Sequence, residues 1–486
     1  MKRKVLALPF IMAIMLNFLF CEILIQPVDC QSPENILIKA DGSIDPPTSL
    51  ISTADNTTYT FTNNINNSIV VQRNNVIIDG NGYTLNGSGS DDGINWSNVN
   101  NVTIKNTHIE NFLYGISIWF SSNNNISGNI ITNCGRGVYL GHNCNFTNIS
   151  GNNITENEWN DEPGWGDGIS LSFSSNNTIV GNRIAANDDN GIVLGHNSNY
   201  NHISSNNVTN NRHGVWLGSS SNNTIFGNTI TANNDNGFRL ALSSNNYICD
   251  NNITHNSYGI SLSSSSANNF YHNNLIGNTQ QIYDFSWDFP SVFPPSSNVW
   301  DGNYPSGGNY WSDYTGQDAD RDGIGDTPYV IDENNQDNYP LVKPFDSSEH
   351  VFNITVALIK FSISISTNSS ICEYNFNATS KKLSFKVAGI DGTAGFCNIS
   401  IPTVLMSGDF TVFKDDTQLV SGVDYTQTLT NNGTYYLFSI EYEHSIHTIK
   451  IVSSIVIPDF AEWLVLPFVM ITTLLIFVLK KKLKKD

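Results

Sequence analysis

A glycine opening an apolar-x-Leu/Ile step returns at Gly115, Gly137, Gly168, Gly191, Gly214, Gly237 and Gly259, at intervals of 22, 31, 23, 23, 23 and 22 residues. The 31 is one period plus an insertion of eight or nine residues. A second column runs in parallel, an Ile or Phe followed three residues later by Asn129, Asn152, Asn182, Asn206, Asn228, Asn251 and Asn273. A third reads Asn133, Asn157, Asn187, Asn211, Asn233, Asn256 and Asn278. Each period holds three short apolar alternations, each long enough for one brief strand. The Asn, Gly and Ser between them tolerate left-handed turns. A leucine-rich repeat has a similar period, but its Leu-x-x-Leu-x-Leu skeleton is missing. Three strands per turn, stacked in register, predict a parallel β-helix with Ile, Val and Leu columns inside. Each buried Asn amide would bond its equivalent one coil on. Residues 33–114 read as the opening cap and first coils. Tyr283 to Phe345, rich in aromatics and prolines, reads as the closing cap over an otherwise open sheet edge.

Only 14% of the 486 residues are charged, and Asn, Ser, Thr and Gly crowd the chain, which argues against helical bundles and coiled coils. Residues 33–479 carry 15 basic and 40 acidic side chains. Such a surface repels phosphate backbones, so nucleic acid is not an expected partner, whereas cations or neutral glycans are.

Both ends suggest export. Lys2-Arg3-Lys4 precedes an apolar run to about Phe20, as in a secretory signal, taken as residues 1–31. Trp463 to Leu479 is uncharged and apolar, the short end of a transmembrane helix, and five lysines in the tail 480–486 predict a cytoplasmic C-terminus. The expected product is a single-pass cell-surface protein, nearly all of it extracellular. Sequons at Asn56, Asn125, Asn153, Asn222, Asn353 and Asn432 agree with a glycoprotein. Between solenoid and membrane segment, residues 351–453 alternate with period two, as in Phe361-Ser362-Ile363-Ser364-Ile365 and Leu383-Ser384-Phe385-Lys386-Val387. They predict an immunoglobulin-like β-sandwich acting as a spacer. An oxidising exterior permits Cys372–Cys397, or Cys134–Cys144, as disulfides.

Within the closing cap, taken as 300–346 after a β-helix of 32–299, stands Asp318-x-Asp320-x-Asp322-Gly323-x-x-Asp326. Carboxylates at positions 1, 3 and 5 with Gly at 6 can curl round Ca2+, although position 12 is Tyr329 where an EF-hand needs Glu. The expected role is structural.

The coil pattern, with Gly308-Asn309-Tyr310-Trp311-Ser312-Asp313-Tyr314 and the Asp-rich stretch through Tyr329, resembles the NosD-type family over about residues 33–345. The resemblance implies a right-handed parallel β-helix of pectin-lyase-like type, from a group of carbohydrate-binding proteins and sugar hydrolases. Archaeal surface proteins carry similar modules, with a spacer domain after the helix. The family name also implies copper. The five methionines and the scatter of Cys and His do not suit that soft metal, so copper is not expected here.

The insertion Glu158-Trp159-Asn160-Asp161-Glu162-Pro163-Gly164-Trp165-Gly166-Asp167 pairs acids with tryptophans. Tryptophan stacks on sugars, and paired carboxylates hydrolyse glycosides. If coils stack in register, Arg136, Asp167, Asp188, Asp189, Arg212, His213 and Asp235 lie just before the repeat glycines, and Tyr139, Trp216 and Arg239 lie two past them. Glu158, Asp167, Asp189 and His213 are therefore the catalytic candidates. Trp159, Trp165, Tyr139, Trp216 and Arg239 are the carbohydrate-binding ones. Ordinary polar turns would explain the same residues. Asp91-Asp92-Gly93 resembles the paired Asp of polygalacturonases, whose Gly-His-Gly and Arg-Ile-Lys elements are absent. His142 and His196, two coils apart, read as surface residues. Three functions stay open: a polysaccharide-binding surface protein, a polysaccharide hydrolase or lyase, and a structural envelope component.

Overall fold

The computed structural model describes residues 35–158, 166–304, 307–319, 323–345, 349–356, 359–367, 369–388, 394–430, 433–443 and 445–456. The chain coils into a parallel β-solenoid. Three strands per coil each pair with their equivalents one coil on, in sheets of twelve, eleven and ten strands. The second sheet carries Ile126, Ile149, Ile179, Ile203, Ile225, Ile248 and Phe270 in exact cross-coil register, all fully buried. Short antiparallel pairs, Leu37 opposite Asp45 and Ile51 opposite Phe61, open the first two sheets. Among the described residues the helical element is one turn, Phe285–Asp288, capped where Asp284 accepts from the Ser286 backbone N–H at 2.9 Å.

The asparagine columns form two hydrogen-bonded ladders. Asn206 is typical: its Oδ1 accepts from the Asn182 backbone N–H (2.9 Å) and amide (3.0 Å), while its own amide donates to Asn228 Oδ1 at 3.0 Å. Buried amides are thus satisfied by the next coil. The third column differs from expectation at its first rung. Asn133 stands exposed in a left-handed turn (φ 52°), and Cys134 takes the interior place, its N–H donating to Asn157 Oδ1 at 3.1 Å. A further ladder, Asn177–Asn201–Asn223–Asn246–Asn268, occupies another corner and was not read from the sequence. The repeat glycines are there for closeness rather than for a turn. A Cβ on Gly237 would lie 2.7 Å from the Gly259 carbonyl oxygen and 2.8 Å from Ile253 Cγ2.

The far end is sealed by aromatics. Phe270 stacks on Trp300 at 4.4 Å and Trp311 on Tyr329 at 4.1 Å. Asn309 ends the ladder that Asn273 passes on, and Asp337 accepts from the Asn309 N–H and the Trp311 indole. Beyond it two five-stranded antiparallel sheets enclose one core that includes Ile363, Phe385, Cys397 and Phe438. This unit touches the outer face of the second solenoid sheet, where Phe226 and Cys249 pack with Ala388, flanked by Tyr247, Tyr271 and Ile446.

The expected disulfides do not form. Cys134, Cys144 and Cys397 are buried thiols. Cys134 and Cys144 fill interior ladder places on different columns, Cys144 donating its backbone N–H to Ser174 Oγ, so neither sulfur faces the other. Burial pushes the Cys134 thiol up to about 12 and that of Cys144 to about 11. The leader 1–31 and the apolar segment 463–479 lie outside the described residues. Among the described residues no helix is long and apolar enough to cross a membrane.

Candidate functional site

The first sheet brings the sequence candidates onto one outer face. Its strands Arg136–Gly141, Ile169–Ser172, Asn190–Gly195, His213–Gly218 and Asn236–Ala241 align so that Tyr139, Ser170, Val193, Trp216 and Arg239 make one column. Arg239 lays its guanidinium over the Trp216 ring at 5.3 Å, and Arg136 lies over Tyr139 at 5.6 Å. Sequence reasoning missed the rest of this surface. Tyr114 and Trp119 join Tyr139, with ring centroids 5.3 and 5.2 Å away, and Tyr258 stacks on Tyr283 at 5.1 Å. Tyr114 and Tyr258 each precede a repeat glycine, so extending the rule used for Arg136 would have found them.

A second column, beside the glycines, is polar and largely buried. Asp167, 2% exposed, takes the Arg136 Nε at 3.1 Å and the Asn190 amide at 2.8 Å. Asp189 accepts from Asn190 at 2.7 Å and from the half-exposed Arg212 at 3.5 Å. Burial, then the neighbouring Asp167, raises the Asp189 carboxyl above its ordinary value. His213, 3% exposed, bonds the Asn236 amide through Nδ1 at 2.8 Å. Burial and the charges of Arg239 and Arg212 lower its pKa to about 3, so the imidazole is neutral and accepts that bond. Asp167, Asp189 and His213 therefore tie strand beginnings together, and each is enclosed by its partners. Asp92 heads the same column, opposite Tyr114. Burial pushes its carboxyl up to about 6, partly offset by a hydrogen bond from Ser117.

Glu158 is exposed, its N–H donating to the Cys134 carbonyl at 2.8 Å just before the insertion. Trp159 and Trp165 lie outside the described residues. Asp188 is exposed and Asp235 half-buried, its carboxylate 3.8 Å from His213. His142 and His196 form part of a stack along the corner beside the first sheet, with Phe173 between them at 4.8 and 5.3 Å. A recess lined by Lys105, Asn106, Ser127, Gly128, Ser150 and Gly151 stands elsewhere, on the second sheet's flank. In the cap, Asp318 accepts from the Gly323 N–H at 3.1 Å and Asp326 from the Ala319 N–H at 2.8 Å, curling the loop. Asp320 and Asp322 lie outside the described residues.

Residues 49–230 and 168–316 match the family described as "Periplasmic copper-binding protein (NosD)". No curated protein matches. Solved structures similar to the chain include a mutant of the periplasmic alginate epimerase AlgG, 17% identical with TM-score 0.32, covering 45% of this chain and 51% of that one. The A-module of the Azotobacter vinelandii mannuronan C-5 epimerase AlgE6 is 14% identical with TM-score 0.37, covering 51% and 81%. The Dettilon tailspike protein is 15% identical with TM-score 0.36, covering 86% and 94%. The chain thus spans about half the length of the first of these.

The family description implies copper, a metal that selects Cys, Met and His. Among the described residues no three His, Cys, Asp or Glu side chains come together as a metal would need. Met406, the one methionine among them, is fully buried in the antiparallel unit. The described residues do not fit copper.

Proposed function

The chain belongs to the NosD family, and from that premise we propose that its solenoid binds polysaccharide on the outer face of the first sheet, in a protein held at the cell surface. The alignment of Tyr139, Trp216 and Arg239 in one column supports this reading. Aromatic rings pack against the C–H faces of sugars, and guanidinium groups serve their hydroxyl and carboxylate oxygens. In this reading Asp167, Asp189 and His213 are fasteners, and the insertion with Trp159 and Trp165 adds to one edge of the site. The signal 1–31 exports the chain, the immunoglobulin-like unit 351–453 is its spacer, and 463–479 anchors it in the membrane. The loop Asp318–Asp326 holds Ca2+ and stiffens the cap; chelation would then lower the melting temperature.

A second reading rests on Asp92, whose carboxyl near 6 is in the range a general acid needs. It makes the same face a hydrolase or lyase. The test is a panel of acidic and neutral polysaccharides, with and without calcium, scored for binding and for new reducing or unsaturated ends. Binding without cleavage, lost in Trp216→Ala, supports the proposal. Cleavage abolished by Asp92→Asn makes the protein an enzyme. Silence across the panel refutes both and leaves a structural envelope component.

A further inference from the structure

We infer that the ligand is a linear polymer lying along the solenoid axis across three aromatic platforms set three coils apart. The inference rests on the polysaccharide reading above and specifies its geometry. Tyr139 and Trp216 are separated in the outer column of the first sheet by Ser170 and Val193. From Trp216 the column continues through Arg239 and Ser261 to Tyr283. Each interval is three coil steps. Parallel strands stack about 4.8 Å apart, so neighbouring platforms stand about 14 Å apart and the outer two about 29 Å apart.

Each platform packs against neighbouring side chains, with Arg136 over the Tyr139 ring and Arg239 over that of Trp216. Tyr139 has Tyr114 and Trp119, Trp216 has Arg239, and Tyr283 has Tyr258. Between platforms one and two the column passes Ser170 and Val193, small side chains only 5% and 7% exposed, which offer no ring of their own. Bond lengths near 1.5 Å put successive glycosidic oxygens of a pyranose chain about 5 Å apart. Three coils therefore match about three sugars, and every third sugar meets a ring. A single sugar or a short branch could use one platform only. An extended chain of about six or seven sugars uses all three at once, and the second and third contacts form within one bound molecule.

The test uses the full-length protein and two defined ladders, oligogalacturonates and cello-oligosaccharides of two to ten sugars, measured by calorimetry. In at least one ladder the Kd should fall steeply between three and about seven sugars and then level off. Tyr139→Ala, Trp216→Ala and Tyr283→Ala should each weaken a heptamer roughly 3–10-fold, the usual range for one ring contact, while Tyr283→Phe restores wild-type binding. A trimer should be nearly indifferent to losing an outer ring. Equal affinity for trimer and heptamer, or a heptamer indifferent to Tyr283→Ala, overturns the axial arrangement and leaves polysaccharide binding standing. No binding by either ladder at any length overturns both.

Discussion

Replacing Asn206 with Leu tests whether the ladders, rather than the apolar columns alone, hold the coils. Asn206 is 1% exposed at mid-solenoid. Its side chain makes five bonds: it accepts from the Asn182 N–H and amide, and donates to Asn228 Oδ1 and to the carbonyls of Ile179 and Ser204. Leucine has the same branching and the same number of side-chain heavy atoms but bulkier methyl groups, so no cavity enters the comparison and any overpacking adds to the loss. The amide of Asn182 keeps Ile149 and Val180, and Asn228 Oδ1 keeps the Asn206 backbone N–H, but the Asn182 backbone N–H loses its acceptor. A stranded buried donor costs about 1–3 kcal/mol, and the other lost bonds add about 0.5–1.5 each where nothing replaces them. The expected loss is about 3–5 kcal/mol, or a melting temperature lower by about 10 °C. Hydrogen exchange should rise first in the coils holding Asn182, Asn206 and Asn228, because coils couple to their neighbours. Asn234→Ala, at an exposed turn, is the control and should change stability by less than about 0.5 kcal/mol. If Asn206→Leu stays within about 1 kcal/mol of wild type, the ladder is decoration and the argument from buried amides fails.

Three other outcomes follow from the same geometry. Gly237→Ala should lower the urea midpoint substantially, since its Cβ has no room against the Gly259 carbonyl; an unchanged midpoint would mean the coils can separate locally. Asp250, fully enclosed beside His272, has its carboxyl raised by burial to about 6 from 3.8. Its folded form prefers the proton, so it contributes stability below about pH 4 that is lost as pH rises through about 6, on the order of 3 kcal/mol. Asp250→Asn should therefore melt higher than wild type at pH 7.5 and equally at pH 4; no difference at pH 7.5 would refute this. Dithiothreitol should leave the solenoid's melting unchanged, because Cys134 and Cys144 are thiols already; a drop would mean they are bridged.

The solenoid was legible because its period is written three times over, in the glycines and in two asparagine columns. What spacing alone misjudged was single places. Asn133 and Cys134 are neighbours, and only the coil's register decides which points inward. The face of the first sheet was half legible. Tyr139, Trp216 and Arg239 follow from counting past the glycines, whereas Tyr114, Tyr258 and Tyr283 were passed over because the count was applied chiefly to charged residues. The chemistry of the acids was not legible at all. Asp167 and Asp189 look available in a linear sequence, and their enclosure depends on Arg136, 31 positions from Asp167, on Arg212, 23 from Asp189, and on Asn190, which adjoins Asp189 but reaches Asp167 across 23 positions.

The ladders also govern how a chain of this kind can change length. A single inserted residue inside a coil would carry every later asparagine off its partner, whereas one added whole coil leaves each rung intact. Growth is thus quantised in units of 22 to 24 residues, except in the gaps between columns. The segment between Asn157 and Asp167 occupies such a gap: Asn157 still reaches Asn187 Oδ1 at 2.8 Å across the 30-residue coil. New recognition loops can be acquired there without the scaffold registering their length, and the first sheet, whose strands begin just after that gap, is the surface they would border.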